Sequence, residues 1–155
     1  MRKAATMVGG WIQAQTDWKS KLLGRKQPVA CWSRLISGRL KLNVDAAVRD
    51  SGCGLGWCLR DDRGLFVARA ARPWMGMLSH LMAELVGISW LQGFEWKEID
   101  VESDASGAIS EILKVSSASS LGVVADDIRN LATHFSSISF FHVKRSANKS
   151  AHTLA

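Results

Sequence analysis

The sequence predicts an α/β domain built on a mixed five-stranded sheet, with helices on both faces. The first observation is a two-residue alternation in residues 39–48, which is typical of a strand with one covered face. Four apolar side chains fall on the same side of this strand: Leu40, Leu42, Val44 and Ala46. The second is a pair of tight turns that join this strand to two more extended segments. The third is an alternation of helical and extended periods after position 79. Strands joined through helices are expected to be parallel, with right-handed crossovers.

The first half of the domain is predicted to be an antiparallel meander. Residues 49–52 and 61–64 each have the composition of a tight turn and end in glycine. They separate a second strand, residues 53–60, from the first strand and from a third, residues 65–71, which we expect Pro73 to close. The closely spaced Gly52, Gly54 and Gly56 suggest a phosphate-binding loop, but no helix follows, so they are interpreted as strand and turn glycines.

The second half alternates between helices and strands. A helix is predicted from an N-cap at Ser79 to a stop at Gly93, because apolar residues recur there at helical spacing: Leu81, Leu85, Ile88 and Leu91. A strand over residues 97–103 follows, and then a helix to about Val115, capped by Ser103 or Ser106. Residues 116–120 are predicted to form a polar linker, followed by a helix over residues 121–135 and a strand over residues 137–143. A last helix is predicted to begin at Asn148, and the end of the sequence interrupts it at Ala155.

The positive charge is concentrated near the N-terminus. The net charge of the 155 residues is +6, but residues 1–39 hold eight Lys or Arg and one acidic residue, Asp17, for a net +7, which leaves −1 for the rest. We therefore expect a basic, poorly ordered arm or linker over residues 1–37 and one folded domain over residues 38–155. The arm is either a solvated tail or a segment that contacts phosphate groups.

Cysteine content and hydropathy indicate the compartment. Three cysteines without a C-x-x-C pair argue against a disulfide framework: Cys31, Cys53 and Cys58. No apolar run reaches the length of a membrane span, and the basic start lacks the apolar core of a secretory signal. We expect a protein of a reducing intracellular compartment, nucleus or cytoplasm, without a membrane partner.

Three carboxylates stand at positions where a surface role is not the simplest interpretation. Asp45 lies in the middle of the first strand, where its neighbours would desolvate it. Glu84 borders the apolar stripe of the first helix, and Asp104 follows the fourth strand, at the edge where open α/β sheets bind ligands. Taken one at a time, each has a plain alternative: an edge-strand side chain, a snorkelling surface charge and a helix cap.

Four segments, in this order along the chain, resemble the ribonuclease H family. They are Leu42-Asn43-Val44-Asp45, Ala83-Glu84-Leu85, Val101-Glu102-Ser103-Asp104-Ala105 and Val143-Lys144-Arg145-x-x-Asn148-x-x-Ala151-His152-x-Leu154-Ala155. The resemblance extends from Gly38 to Ala155, and it is to the plant branch found with retroelements and their domesticated descendants.

The resemblance implies a ribonuclease H-like fold and a nuclease that cuts the RNA strand of RNA–DNA hybrids. It implies catalytic residues at Asp45, Glu84, Asp104 and His152, the first three of them ligands of Mg²⁺, with Mn²⁺ as the alternative. Two divalent cations roughly 4 Å apart can activate a water molecule and stabilise the leaving oxygen, and hard cations prefer carboxylate oxygens. Hybrid binding is assigned to Lys144, Arg145, Asn148 and Lys149, without a small-molecule cofactor, in a monomer.

Two departures from the family pattern put the activity in question. His152 stands where the family usually has Asp, so one metal site loses an oxygen ligand and a negative charge. Arg145 or Ser146 replaces the loop His of many members. We therefore expect activity that is weak, Mn²⁺-favouring or absent, and the alternative function is a ribonuclease H-like binding or interaction module without catalysis. A proofreading-type exonuclease, based on Asp100-Val101-Glu102, is disfavoured because that pair precedes a helix.

Overall fold

The computed structural model describes residues 35–93, 98–114 and 118–155. Nearly all of the predicted basic arm, residues 1–37, lies outside the described residues, as do residues 116 and 117 of the predicted polar linker. No helix in the described segments is long and apolar enough to cross a membrane.

The sheet has the predicted five strands in the spatial order β3-β2-β1-β4-β5. The strands are β1 (Leu40–Arg49), β2 (Gly52–Arg60), β3 (Phe66–Trp74), β4 (Glu98–Ser103) and β5 (Ser137–His142). Strands β1, β2 and β3 pair antiparallel, whereas β4 pairs parallel with β1 and with β5. The mixed sheet is therefore confirmed, with a meander on one side and crossovers on the other.

Strand β3 does not end before Pro73. It continues to Trp74, with Pro73 opposite Gly54. A proline is tolerated there because β3 is an edge strand, which has one side without a strand partner and can lack a backbone donor.

Four α-helices connect and cover the sheet. They are α1 (His80–Ser89), continued by a 3₁₀ turn over Trp90–Gly93, then α2 (Ser106–Leu113), α3 (Ser120–Ala132) and α4 (Lys149–Leu154), which a second 3₁₀ turn over Arg145–Ala147 precedes. The predicted cap at Ser79 is confirmed, because its side chain accepts from the backbone N–H of Met82. The cap of α2 is Ala105, without a side-chain hydrogen bond, so the alternatives Ser103 and Ser106 are both wrong.

Helices α1, α2 and α3 bury one face of the sheet, and α4 lies on the other. The main core joins apolar side chains of the first three helices to those of β1, β2, β4 and β5, including Val44, Leu59, Leu85 and Ile128. The side chains of β2 that face this core alternate with Gly54 and Gly56, which contact the backbone of α4. The predicted covering of both faces is thus confirmed.

The expectation that β1 has one covered face is wrong. Lys41, Asn43 and Asp45 point away from the apolar core, yet they are only 1%, 0% and 4% exposed. A strand between a parallel and an antiparallel neighbour is the centre of the sheet, and both of its faces are covered. The polar face is satisfied internally, since Lys41 Nζ lies 2.8 Å from Glu102 Oε1 and Asn43 Nδ2 donates to Glu102 Oε2 at 3.0 Å.

Two glycines of β2 allow α4 to approach the sheet closely. A Cβ atom on Gly54 would overlap the carbonyl group of Ala155, and one on Gly56 would lie 2.5 Å from Ala155 N and 2.7 Å from Ala151 O. The glycines first considered as a phosphate loop therefore serve as the contact surface for α4.

Substitution Gly56→Ala should destabilise the fold, because backbone atoms rather than a flexible side chain meet the added methyl group. We expect the free energy of unfolding in urea to fall by roughly 1–3 kcal/mol. The matched control is Gly107→Ala in α2, whose Cβ would lie 3.2 Å from the mobile end of Leu81 and would gain helix propensity. Equal stability of the two variants would contradict this account of α4 docking.

Candidate active site

The site forms where two parallel strands separate. The pairing of β1 with β4 runs from Leu40 opposite Ile99 to Val44 opposite Ser103, and β1 then continues to Arg49 with β2 alone. Backbone groups of β1 beyond this point become available to side chains. The N–H of Ala46 donates to Glu84 Oε1 at 3.1 Å, and the carbonyl of Val44 accepts from Asn148 Nδ2 at 2.8 Å.

Three carboxylates from three elements meet in this opening. Asp45 comes from β1, Glu84 from the second turn of α1, and Asp104 from the position directly after β4. One carboxylate oxygen of each lies within 4.8 Å of the others. Asp45 and Glu84 are buried, and Asp104 is half-buried. The structure thus brings together the three residues that the sequence proposes as metal ligands, in an open cleft of about 550 Å³.

Glu84 is held by neutral donors and is electrostatically unfavourable as an anion. Its second oxygen accepts from the Ser103 hydroxyl at 3.2 Å. Burial, and then the charge of Asp45, raise the pKa of Glu84 from an ordinary 4.5 to about 8, and the bonds from Ala46 and Ser103 oppose this rise only in part.

Asp45 is similarly affected, and His152 is its neighbour on the solvent side. Burial is the main cause that raises the pKa of Asp45, and Asp104 adds to it. A hydrogen bond with His152 opposes the rise, since Nδ1 of the ring lies 2.8 Å from Asp45 Oδ2. His152 therefore lies at the cluster, as the sequence places it, but it contacts Asp45 directly.

Asn148 is fully buried and positions the site from the C-terminal segment. Besides Val44, its amide nitrogen donates to Asp104 Oδ1 at 3.0 Å. It therefore joins β1, Asp104 and the start of α4. The predicted contact of Asn148 with nucleic acid stays a prediction, whereas its bonds give it a positioning role that the sequence did not indicate.

The two acidic residues considered for an exonuclease, Asp100 and Glu102, form ion pairs outside the carboxylate cluster. Asp100 Oδ1 forms an ion pair with Arg39 at 2.5 Å, and Glu102 pairs with the buried Lys41. Neither residue belongs to a group of potential metal ligands in the described part of the chain.

A family model described as reverse transcriptase-like matches residues 43–155, which is more than half of the chain. The chain belongs to the ribonuclease H family. No curated protein matches the sequence.

Solved structures show the same fold. Ribonuclease H1 of the halophilic archaeon Halobacterium salinarum is 24% identical, with a TM-score of 0.67 over 76% of this chain and 95% of that one. The N-terminal ribonuclease H domain of a Mycobacterium tuberculosis protein, solved as a fusion with maltose-binding protein, is 20% identical, with a TM-score of 0.66 over 76% of this chain and 95% of that one. A ribonuclease H1 isolated from compost by a metagenomic approach, solved in complex with an RNA/DNA hybrid, is 18% identical, with a TM-score of 0.62 over 74% of this chain and 92% of that one.

The donor set of this ribonuclease H domain fits a hard divalent cation. It consists of carboxylate oxygens, which suit Mg²⁺ and Mn²⁺ better than softer metals. Burial and then the charge of Asp45 raise the pKa of Glu84, and a bound cation would relieve the repulsion between these carboxylates. Asp45, Glu84 and Asp104 are therefore the residues that would hold the ion.

Basic side chains surround the site unevenly. Lys144, Arg145 and Lys149 are exposed, as a phosphate contact requires. Lys149 also lines an open groove of about 270 Å³ together with Arg60 and Arg63, two residues that the sequence analysis did not select. Arg60 is held in place because its guanidinium donates to Ser150 Oγ at 2.8 Å. Only the strand pairing and α4 bring these positions together, so no local sequence signal could have found them.

Removing the Glu84 charge should change the pH dependence of stability in metal-free protein. Glu84 ionises near its ordinary pKa when unfolded but only near pH 8 when folded. Its contribution to stability is therefore complete below about pH 4.5 and is lost as the pH rises to 8. In EDTA, the free energy of unfolding should fall by roughly 2–4 kcal/mol more for wild type than for Glu84→Gln between pH 5 and pH 9.

Urea titrations at each pH would measure this difference. The variant Glu98→Gln, which removes a carboxylate that is 50% exposed, controls for the loss of one charge. Parallel pH profiles for wild type and Glu84→Gln would show that burial of Glu84 has no such effect.

Proposed function

We propose that this domain hydrolyses the RNA strand of RNA–DNA hybrids with a divalent cation, Mg²⁺ or Mn²⁺. The observation that carries the proposal is the convergence of Asp45, Glu84 and Asp104 within 4.8 Å at the C-terminal edge of parallel strands. Family membership supports it, and a structural relative solved with an RNA/DNA hybrid supports a nucleic-acid partner.

The residues around the carboxylates have distinct parts in this proposal. Asp45, Glu84 and Asp104 would hold the cation, which would supply the chemistry that activates a water molecule and stabilises the leaving oxygen. The Ala46 N–H and the Ser103 hydroxyl orient Glu84, and the Asn148 amide orients Asp104. Oriented ligands matter because a displaced carboxylate lowers metal affinity.

Binding of the hybrid is proposed for the exposed cations at the C-terminal end. Lys144, Arg145 and Lys149 would contact phosphate groups, and Arg60 and Arg63 extend the surface on the Lys149 side. Recognition of a hybrid through its shape and 2′-hydroxyls needs no reading of base sequence.

The cellular setting is proposed from the cysteines. Cys53 and Cys58 are buried free thiols, which agrees with a reducing intracellular compartment, nucleus or cytoplasm. The monomeric state and the retroelement origin stay predictions from the sequence.

A second candidate is a module that binds hybrids without cutting them. The observation that favours it is the contact of His152 with Asp45, because a nitrogen donor occupies the side of the cluster where the family has a carboxylate. Hybrid binding in Mg²⁺ and Mn²⁺ without cleavage would support this candidate over the nuclease.

Cleavage of a labelled RNA–DNA hybrid tests the proposed reaction. Purified protein should cut the RNA strand in Mg²⁺ or Mn²⁺, and Asp45→Asn should lower the rate by roughly 100-fold or more, because it removes the charge of one of the three carboxylate ligands. The control is Asp100→Asn, since Asp100 pairs with Arg39 and lies outside the carboxylate cluster. Wild-type cleavage no faster than that of Asp45→Asn would refute the nuclease.

The salt dependence of hybrid binding tests the groove around Lys149. In the Asp45→Asn background, Lys149→Ala should lower the slope of log affinity against log salt by about 1, because one phosphate contact is lost. Arg69→Ala is the control, since Arg69 is an exposed cation on β3 outside this groove. Fluorescence anisotropy at several salt concentrations gives both slopes, and equal changes would mean that only net charge matters.

A further inference from the structure

One carboxylate oxygen of Asp45 is bonded to a side chain at a place that a metal ion would otherwise take. His152 Nδ1 lies 2.8 Å from Asp45 Oδ2. Arg145 Nη2 lies 3.0 Å from Nδ1 and 2.9 Å from Nε2 of the same ring, so it is nearly equidistant from the two nitrogens and lies over the face of the ring. The tautomer with its proton on Nδ1 donates to Asp45. In this arrangement Nδ1, the nitrogen that contacts Asp45, has no lone pair left for a cation.

Arg145 adds a permanent positive charge at the same place. Its guanidinium remains protonated under all ordinary conditions, and no carboxylate forms an ion pair with it in the segments that the structure describes. Arg145 and His152 line the same cleft as the three carboxylates. A divalent ion beside Asp45 Oδ2 would therefore meet a fixed positive charge as well as a ring nitrogen that already contacts this oxygen.

We propose that this domain holds one divalent cation, between Asp45, Glu84 and Asp104, and that Arg145, positioned by His152, takes the place of a second cation. The inference rests on the proposed function only in requiring that the carboxylate cluster binds a cation. Two cations roughly 4 Å apart would have to share Asp45, and its Oδ2 already contacts His152 Nδ1.

The replacement has a chemical consequence for the substrate. A guanidinium is a planar group with five N–H donors and matches the oxygens of a phosphate group. Arg145 is exposed, so it can reach a phosphate that lies over the cleft. The positive charge on that side of Asp45 would thus come from the chain itself and would not depend on the concentration of free metal.

The stoichiometry of Mn²⁺ binding tests the proposal without any measurement of activity. Isothermal titration of the full chain, with electron paramagnetic resonance of free Mn²⁺ as a second readout, should give one bound ion for wild type and none for Asp104→Asn. His152→Asp alone should still bind one ion, because Arg145 would pair with the new carboxylate. The double variant His152→Asp with Arg145→Ala should bind two, the second at least roughly 10-fold more tightly than in any variant that keeps Arg145.

A charge-matched control separates Arg145 from general electrostatics. Lys144 is the neighbouring exposed cation, so His152→Asp with Lys144→Ala has the same net charge as the double variant and should bind one ion. Two ions in wild type, in His152→Asp alone or in this control would overturn the proposal, as would one ion in the double variant. Thermal melts verify that each variant is folded. One bound ion without hybrid cleavage would remove the nuclease function and leave this inference standing.

Discussion

Three carboxylates that lie within 4.8 Å of one another repel each other, and the structure must hold them together without neutralising them. The strain is visible in the pKa of Glu84, which burial and its acidic neighbours raise to about 8. Neutral dipoles do the holding: an N–H of β1 and a hydroxyl at the end of β4 for Glu84, and the Asn148 amide for Asp104. The N–H of Ala46 is available because the parallel pairing of β1 with β4 stops after Val44 and Ser103.

The C-terminal segment ties this opening to the far face of the sheet. Asn148 and His152 lie four residues apart, at the start and in the middle of α4, so they project from one side of the helix toward Asp104 and Asp45. The same helix packs on Gly54 and Gly56 of β2, and its backbone fills the space that a side chain at either position would occupy. Its placement is further fixed by Arg60, which donates to Ser150. The positions of Asn148 and His152 in the site therefore depend on the packing of α4 against glycines of β2, a strand that β1 separates from β4.

The sequence predicted the elements well because their signals are local. Alternation in β1, the Ser79 cap and the turn composition around Gly52 depend on neighbours within a few positions, and all of them are found in the structure. Convergence of Asp45, Glu84 and Asp104 was predictable only through a family resemblance, since no local pattern joins positions 45 and 104. The sequence failed where the decisive contact is long-range. Nothing near Lys41 indicates that Glu102 buries it, and nothing near Arg145 indicates that its guanidinium lies against His152.

Acidic residues of β4 that have a structural role differ from those of the carboxylate cluster in their ion-pair partners. Asp100 and Glu102 belong to β4, the strand that Asp104 follows, and each has a cation from β1 or the residue before it, Arg39 or Lys41. A buried carboxylate with such a partner is compensated and needs no ligand. The cluster of Asp45, Glu84 and Asp104 has no Lys or Arg in an ion pair with it among the described residues, and Arg145 approaches it through His152. Evolution of a purely structural site would be expected to add a lysine, as position 41 shows that this fold can accommodate one. The uncompensated charge is therefore best explained by a cation that comes from outside the chain.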